Sequence, residues 1–271
     1  MLAENQTTTI VSFNIRYGTA NDGGNKWDRR KELLIRTLQN LSADVVCLQE
    51  ALQFQIDYVL SQMPMYQAIT RGREASGDGE HSTILYNASI MTPRHHGTFW
   101  LSEEPETPGS VGWGASLPRI CTWAHFFQWA TGRAFYCFNT HMDHASSRAR
   151  LESAHLLVDR IRGRQYRYDP VVLCGDLNAT ERTAPIMFLQ DNLRDVLRES
   201  HGPNANLGSF HDFGRQTKPA RYDYIFVVNG EKSDVLVRAA EVKDVHIGTF
   251  YPSDHHPLMA RLQFKFFFPA G

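Results

Sequence analysis

The residues with most chemical potential sit in short polar clusters at the ends of apolar runs. Pro170-Val171-Val172-Leu173-Cys174-Gly175-Asp176-Leu177-Asn178 shows the pattern. Four apolar residues follow a proline, as in a short strand buried on both faces. The run stops at Gly175, which permits a sharp turn or a close backbone approach. Asp176 and Asn178 are two residues apart, so in extended chain both side chains point the same way. A carboxylate and a carboxamide held there can bind a hard metal ion or a phosphate oxygen; the same pair can also do no more than cap a turn. The construction recurs along the chain. Asp44-Val45-Val46-Cys47-Leu48-Gln49-Glu50 ends in a carboxylate, Phe135-Tyr136-Cys137-Phe138-Asn139-Thr140-His141 in a histidine, and Ile10-Val11-Ser12-Phe13-Asn14 in an amide. Ser253-Asp254-His255-His256-Pro257 sets a carboxylate and two imidazoles before another apolar stretch. Strand ends gathered at one rim of a sheet make a site.

The elements that must position these clusters follow from periodicity. Strands are predicted over 8–15, 44–49, 82–86, 90–100, 120–129, 133–140, 171–174, 222–228, 235–242 and 258–264, and helices over 28–41, 53–63, 146–162 and 184–190. Leu33, Leu34, Leu38 and Leu41 share one face of the first helix, and Pro64 stops the second. Ser146 or Ser147 caps the third, which turns Leu151, Ala154, Leu157, Val158 and Ile161 inward. Residues 71–80 form a polar glycine-rich loop, and 101–118 a long irregular loop of the kind that often carries function. Residues 199–220 read as polar loop, and 264–268 as a last strand tucked into the core. Adjacent and helix-separated strands together predict a mixed α/β chain with more than one sheet layer. No repeat, linker or domain boundary is visible, so residues 1–271 are expected to form one domain.

The 28 basic and 29 acidic residues leave a formal net charge of -1, so there is no global basic field of the kind long nucleic acids select. Cys47, Cys121, Cys137 and Cys174 lie inside apolar runs without metal-type spacing, and read as buried free thiols of a reducing compartment. The first residues lack a signal-peptide pattern, and no apolar run is long enough to span a bilayer. These features predict a soluble, cytoplasmic protein with no membrane association and no obligate protein partner.

Taken together, Ser12-Phe13-Asn14, Leu48-Gln49-Glu50, Asn139-Thr140-His141, Gly175-Asp176-Leu177-Asn178, Tyr222-Asp223-Tyr224-Ile225 and Ser253-Asp254-His255-His256-Pro257 resemble the endonuclease/exonuclease/phosphatase superfamily in type and order. The likeness runs from about residue 9 to 264. The segments 97–102, 117–119 and 208–213 are similar to bacterial members near the nocturnin and carbon-catabolite-repressor deadenylase branch. The resemblance implies a four-layer αββα sandwich: two packed mixed sheets flanked by helices.

It also implies roles. Glu50 is the main candidate metal ligand, with Asn14 and Asp254 completing the shell directly or through water. Oxygen ligands of this kind suit Mg²⁺ or Mn²⁺. His255 is the candidate general base and Asp223 its orienting carboxylate. Asp176 and Asn178 hold the nucleophile and a phosphoryl oxygen, and whether Asp176 or His255 takes the proton stays open. His141 donates to the phosphate or to the leaving oxygen. Arg119 and His211 are the candidate binders of substrate phosphate, with Arg71, Arg73, Arg148, Arg150 and His144 behind them. Trp100 and Trp113 either stack on a base or anchor the long loop. The expected activity is hydrolysis of a phosphoester with Mg²⁺ or Mn²⁺. A phosphodiesterase or nuclease acting on nucleic acid or nucleotides comes first. A phosphomonoesterase on a small metabolite or dinucleotide is the rival, and a catalytically inactive phosphate-binding module the third reading.

Overall fold

The computed structural model describes residues 6–202, 205 and 207–267. Its strands and helices, in chain order, are β1 (Thr8–Asn14), α1 (Trp27–Leu41), β2 (Val45–Ala51), α2 (Gln53–Gln62), β3 (Tyr66–Ile69), β4 (His81–Asn87), β5 (Met91–Trp100), β6 (Ile120–Gln128), β7 (Arg133–His141), α3 (Ser147–Arg162), β8 (Val171–Asp176), α4 (Ala184–Asn192), β9 (Arg194–Asp195), α5 (Val196–His201), β10 (Asp223–Val228), β11 (Ser233–Val242) and β12 (Leu258–Phe266).

Two six-stranded sheets form, ordered β11-β12-β1-β2-β4-β3 and β5-β6-β7-β8-β10-β9. Each holds one parallel pair joined through a helix. α1 links β1 to β2, and α3 links β7 to β8. The other pairings are antiparallel. A parallel pair sends both strand ends to the same rim, so Asn14 and Glu50 emerge together from one sheet and His141 and Asp176 from the other. An antiparallel neighbour delivers its first residues to that rim. Asp223 opens β10 opposite Asp176, and Leu258 at the start of β12 pairs with Ser12 just after Asp254 and His255. Topology alone therefore collects the six clusters.

Three layers of core fix the sheets. Between them lie Ile10, Val45, Ile84, Phe126, Phe135, Val172 and Ile225. Leu34, Leu38, Ile56 and Val59 pack α1 and α2 on the first sheet, and Leu157, Val158, Ile161, Ile186 and Leu189 pack α3 and α4 on the second. The strands between two apolar layers are buried on both faces, which is why β8 reads as an unbroken apolar run. The result is an αββα sandwich. Ser146 caps α3 by accepting from Ala149 N at 3.1 Å.

Two local readings are corrected, and an edge strand appears that periodicity did not predict. Tyr66–Ile69 is an edge strand too short to show alternation, and α5 occupies the start of the segment read as loop. The C-terminal strand is only partly inward. Phe264 stacks on Phe135 at 4.8 Å, whereas Phe267 is 55% exposed; Phe268 lies outside the described residues. The cysteines are free and buried as expected, but Cys47, Cys137 and Cys174 bring their Sγ atoms within 4.8 Å of one another, because separate strands converge where sequence spacing shows nothing. Among the described residues no helix is long and apolar enough to cross a membrane.

Candidate active site

A cavity of about 710 Å³ opens at the rim where the strand ends meet. Glu50, His141, Asp176, Asn178, Asp254, His255 and Arg119 line it. Asn14 lies directly beneath. Its Nδ2 donates to Glu50 Oε1 at 3.0 Å and to Asp176 Oδ2 at 2.9 Å, while its Oδ1 accepts from Arg16 N at 2.9 Å. Asn14 is thus the strut between the two sheets' carboxylates.

The backbone is forced into special shapes here. Arg16, Glu50 and Asn178 have φ of 56°, 59° and 47°, a region non-glycine residues avoid at a cost of about 1–3 kcal/mol each. At Glu50 the strain coincides with a register break between Leu48 and Ala51, which turns the carboxylate out of the sheet into the cavity. Gly175 is needed for another reason: a Cβ there would meet Thr140 O at 2.2 Å on the adjacent strand.

Hydrogen bonds then orient each group. Asp176 Oδ1 accepts from Asn178 N at 2.9 Å, and Oδ2 lies 3.6 Å from His141 Nε2 and 3.7 Å from His255 Nε2. Burial pushes the Asp176 carboxyl up to about 7, against the pull of His255. His255 Nδ1 sits 2.7 Å from Asp223 Oδ2. Burial alone lowers that imidazole, but Asp223, Asp176 and Asp254 outweigh it and push it up to about 10. His141 shows the reverse: burial, with Arg119, His255 and Arg73 nearby, holds it well below the usual histidine range. Asn178 Nδ2 donates to His141 Nε2 at 2.9 Å, which leaves the ring proton on Nδ1, 3.9 Å from Glu80 Oε2.

The carboxylate corner suits a hard cation. Burial, with Glu50 nearby, raises the Asp254 carboxyl. Arg16 stands 3.9 Å from Glu50 and 3.7 Å from Asp254, too far for hydrogen bonds, and spends its bonds on Asp22 at 3.0 and 3.1 Å. Oxygen donors without soft ligands fit a divalent ion such as Mg²⁺ or Mn²⁺.

His211, expected to hold substrate phosphate, is not in the cavity wall. Its ring is buried against His256 and Tyr251, and Nδ1 accepts from Gly214 N at 3.0 Å. Its backbone N–H instead donates to Asp254 O at 2.9 Å and braces that loop. Trp100 is buried, with Nε1 donating to Arg73 O at 2.7 Å, and the Trp113 carbonyl accepts from Ser146 Oγ; both tryptophans anchor loops. Arg71 rests on the Trp100 ring, and Arg150 donates to Asp143 O. Sequence reasoning missed Glu80, Arg16 and Asp143. Glu80 precedes β4, which pairs antiparallel with β2, so a correct strand order would have sent it to this rim.

The sequence profile of the endonuclease/exonuclease/phosphatase family matches residues 11–255. The chain belongs to this family. Its members are phosphoesterase hydrolases and generally depend on divalent metal. A family protein from Bacteroides vulgatus is 31% identical, superposes with a TM-score of 0.88 and covers 96% of this chain and 100% of its own. A mannosyl-6-phosphatase from Bacteroides thetaiotaomicron VPI-5482 is 32% identical, with a TM-score of 0.84 and coverage of 94% and 99%. The human nocturnin catalytic domain, at 18% identity, shares the fold: TM-score 0.75, coverage 96% and 95%.

Proposed function

We propose that this chain is a Mg²⁺- or Mn²⁺-dependent phosphomonoesterase acting on a small phosphorylated molecule. The observation that carries the reading is the cavity. A volume of about 710 Å³ holds one small ligand, with the acidic and imidazole groups at its base. The net charge of -1 supplies no global basic field that would favour a polynucleotide. The mannosyl-6-phosphatase likeness supports the same ranking. Those three points move the monoesterase ahead of the phosphodiesterase that motifs alone put first.

In this reading Glu50 and Asp254 would hold the cation, and Asn14 braces the Glu50 and Asp176 carboxylates through Nδ2, with an Oδ1 lone pair left beyond the bond it accepts from Arg16 N. The bound ion supplies charge neutralisation to the phosphoryl oxygens. Asp176 holds the attacking water and accepts its proton, because burial brings its affinity near neutrality. His255, kept protonated by Asp223, donates through Nε2 to a phosphoryl oxygen. Asn178 spends its two amide N–H bonds on His141 Nε2 and Met142 O, so it braces the His141 ring beside the reaction centre. Arg119, also on the cavity wall, would face the departing alkoxide, which takes its proton from water in the open cavity as the P–O bond breaks.

Incubation with Mg²⁺ or Mn²⁺ and a panel of hexose phosphates, nucleoside monophosphates, NADP, single-stranded RNA and DNA, and bis(p-nitrophenyl) phosphate tests the reading. Phosphate release from monoesters supports it. Cleavage of the bis-ester or a polynucleotide, with monoesters untouched, overturns it in favour of the diesterase.

A further inference from the structure

One wall of the cavity is built for something other than the phosphoryl group. Arg119 is buried there, and its Nη2 lies 3.0 Å from His144 Nδ1. A guanidinium has donors only, so Nδ1 must accept and the ring proton must sit on Nε2. His144 is exposed on the cavity wall, which makes that proton a free donor. Asp143 stands beside the arrangement. It is almost fully buried, lies 3.7 Å from Arg119 Nε, and accepts from Ser116 N and Oγ and from the Ala145 and Ser146 amides at 2.7–3.1 Å. It thus pins the long 101–118 loop to the start of α3 and sets its charge beside Arg119 without a hydrogen bond to it.

The charge balance selects the ligand. Arginines lining the cavity are Arg16, Arg73 and Arg119. Each already faces a carboxylate: Arg16 has Asp22 at 3.0 Å, Arg73 has Glu80 at 2.9 Å, and Arg119 has Asp143. Hydrogen-bond donors remain on this wall, but no uncompensated positive charge. Such a wall favours neutral hydroxyl oxygens over a second anion.

We propose that Arg119 and His144, beside Asp143, form a leaving-group subsite for the hydroxyls of a neutral polyol, so that the substrate is a phosphorylated sugar or sugar alcohol. The proposal rests on the phosphomonoesterase reading and adds its specificity. His144 Nε2–H donates to a substrate hydroxyl, and Arg119 donates to a neighbouring one.

Two substitutions at His144 separate binding from scaffolding. In His144→Asn the amide oxygen can replace Nδ1 as the Arg119 acceptor, but the distal donor is gone. In His144→Gln a donor returns near the Nε2 position. The readout is the ratio of kcat/KM for a hexose 6-phosphate to that for p-nitrophenyl phosphate, with Mg²⁺ present. We expect this ratio to fall about tenfold in His144→Asn, mainly through KM, and to recover in part in His144→Gln. A hexose bisphosphate should be a poorer substrate than the 6-phosphate. A wild-type ratio in His144→Asn, or preference for the bisphosphate, overturns the subsite while leaving the phosphomonoesterase reading intact. A wild-type enzyme inactive on both monoesters overturns that reading, and the subsite with it.

Discussion

Replacing Asp223 by asparagine probes the site's electrostatics without changing its volume. Asp223 Oδ2 lies 2.7 Å from His255 Nδ1, and both residues are buried. At that separation, with an effective dielectric of about 20, their attraction is roughly 6 kcal/mol, or about 4–5 pKa units. Burial pulls the imidazole down, and Asp223 leads the carboxylates that push it up to about 10. Without the Asp223 charge His255 should fall to about 5–6, and its positive charge is lost at pH 7. The expected result is a kcat loss of about 10³–10⁴ at pH 7. Side-chain ¹H–¹⁵N spectra of the histidines should show no His255 titration between pH 5 and 8 in the wild type, and a titration inside that window in the variant. Stability must follow the same sign. A folded-state pKa raised above the unfolded value contributes stability fully present below about 6.5 and lost as pH rises through about 10. The gap in unfolding free energy between wild type and variant should therefore narrow from pH 7 to 10. A variant with kcat within about threefold of wild type and an unaltered His255 titration would refute this account.

Gly175→Ala forces a Cβ to within 2.2 Å of Thr140 O, so it should destabilise by about 2–4 kcal/mol and shift the adjacent Asp176; an unchanged Tm and kcat would contradict the close-packing argument. Glu50→Gln should abolish the calorimetric heat of Mn²⁺ binding and the activity, while the metal-free variant melts no lower than metal-free wild type, because Glu50 and Asp254 repel there. Unaltered Mn²⁺ affinity would remove Glu50 from the metal site. His211 is held down to about 3 by burial and by His256, so its neutral form contributes stability that is complete above about 6.5 and declines as pH falls toward 3. The advantage of wild type over His211→Asn in urea midpoint should accordingly shrink between pH 7.5 and 5; a gap that widens on acidification would reverse the assignment.

Much of the site was readable because each cluster sits at a strand terminus, and strand termini are marked by where an apolar run stops or starts. Asn14, Glu50, His141, Asp176, Asp223 and His255 converge for that reason. The αββα layering came through the family likeness; periodicity alone reached only a mixed α/β chain with more than one sheet layer. Residues whose placement depends on which strand lies next to which were not readable. Glu80 sits at the end of a polar loop and reaches the cavity only because β4 runs beside β2. Asp143 acts through loop amides that no spacing advertises. His211 misled because a histidine near a motif says nothing about its direction. It faces a stack of rings instead of the cavity. The three-thiol contact was hidden the same way, since its members come from β2, β7 and β8.

The central claim is that the six clusters surround one hard cation that grips the phosphate. Anomalous diffraction from crystals soaked in Mn²⁺ with inorganic phosphate tests it most directly. The account predicts a peak about 2.0–2.2 Å from a Glu50 carboxylate oxygen, shared with Asp254 directly or through water, with a phosphate oxygen completing the shell beside Asp176 and His255. A manganese peak elsewhere, or a phosphate held in this cavity with no metal at Glu50, would contradict it.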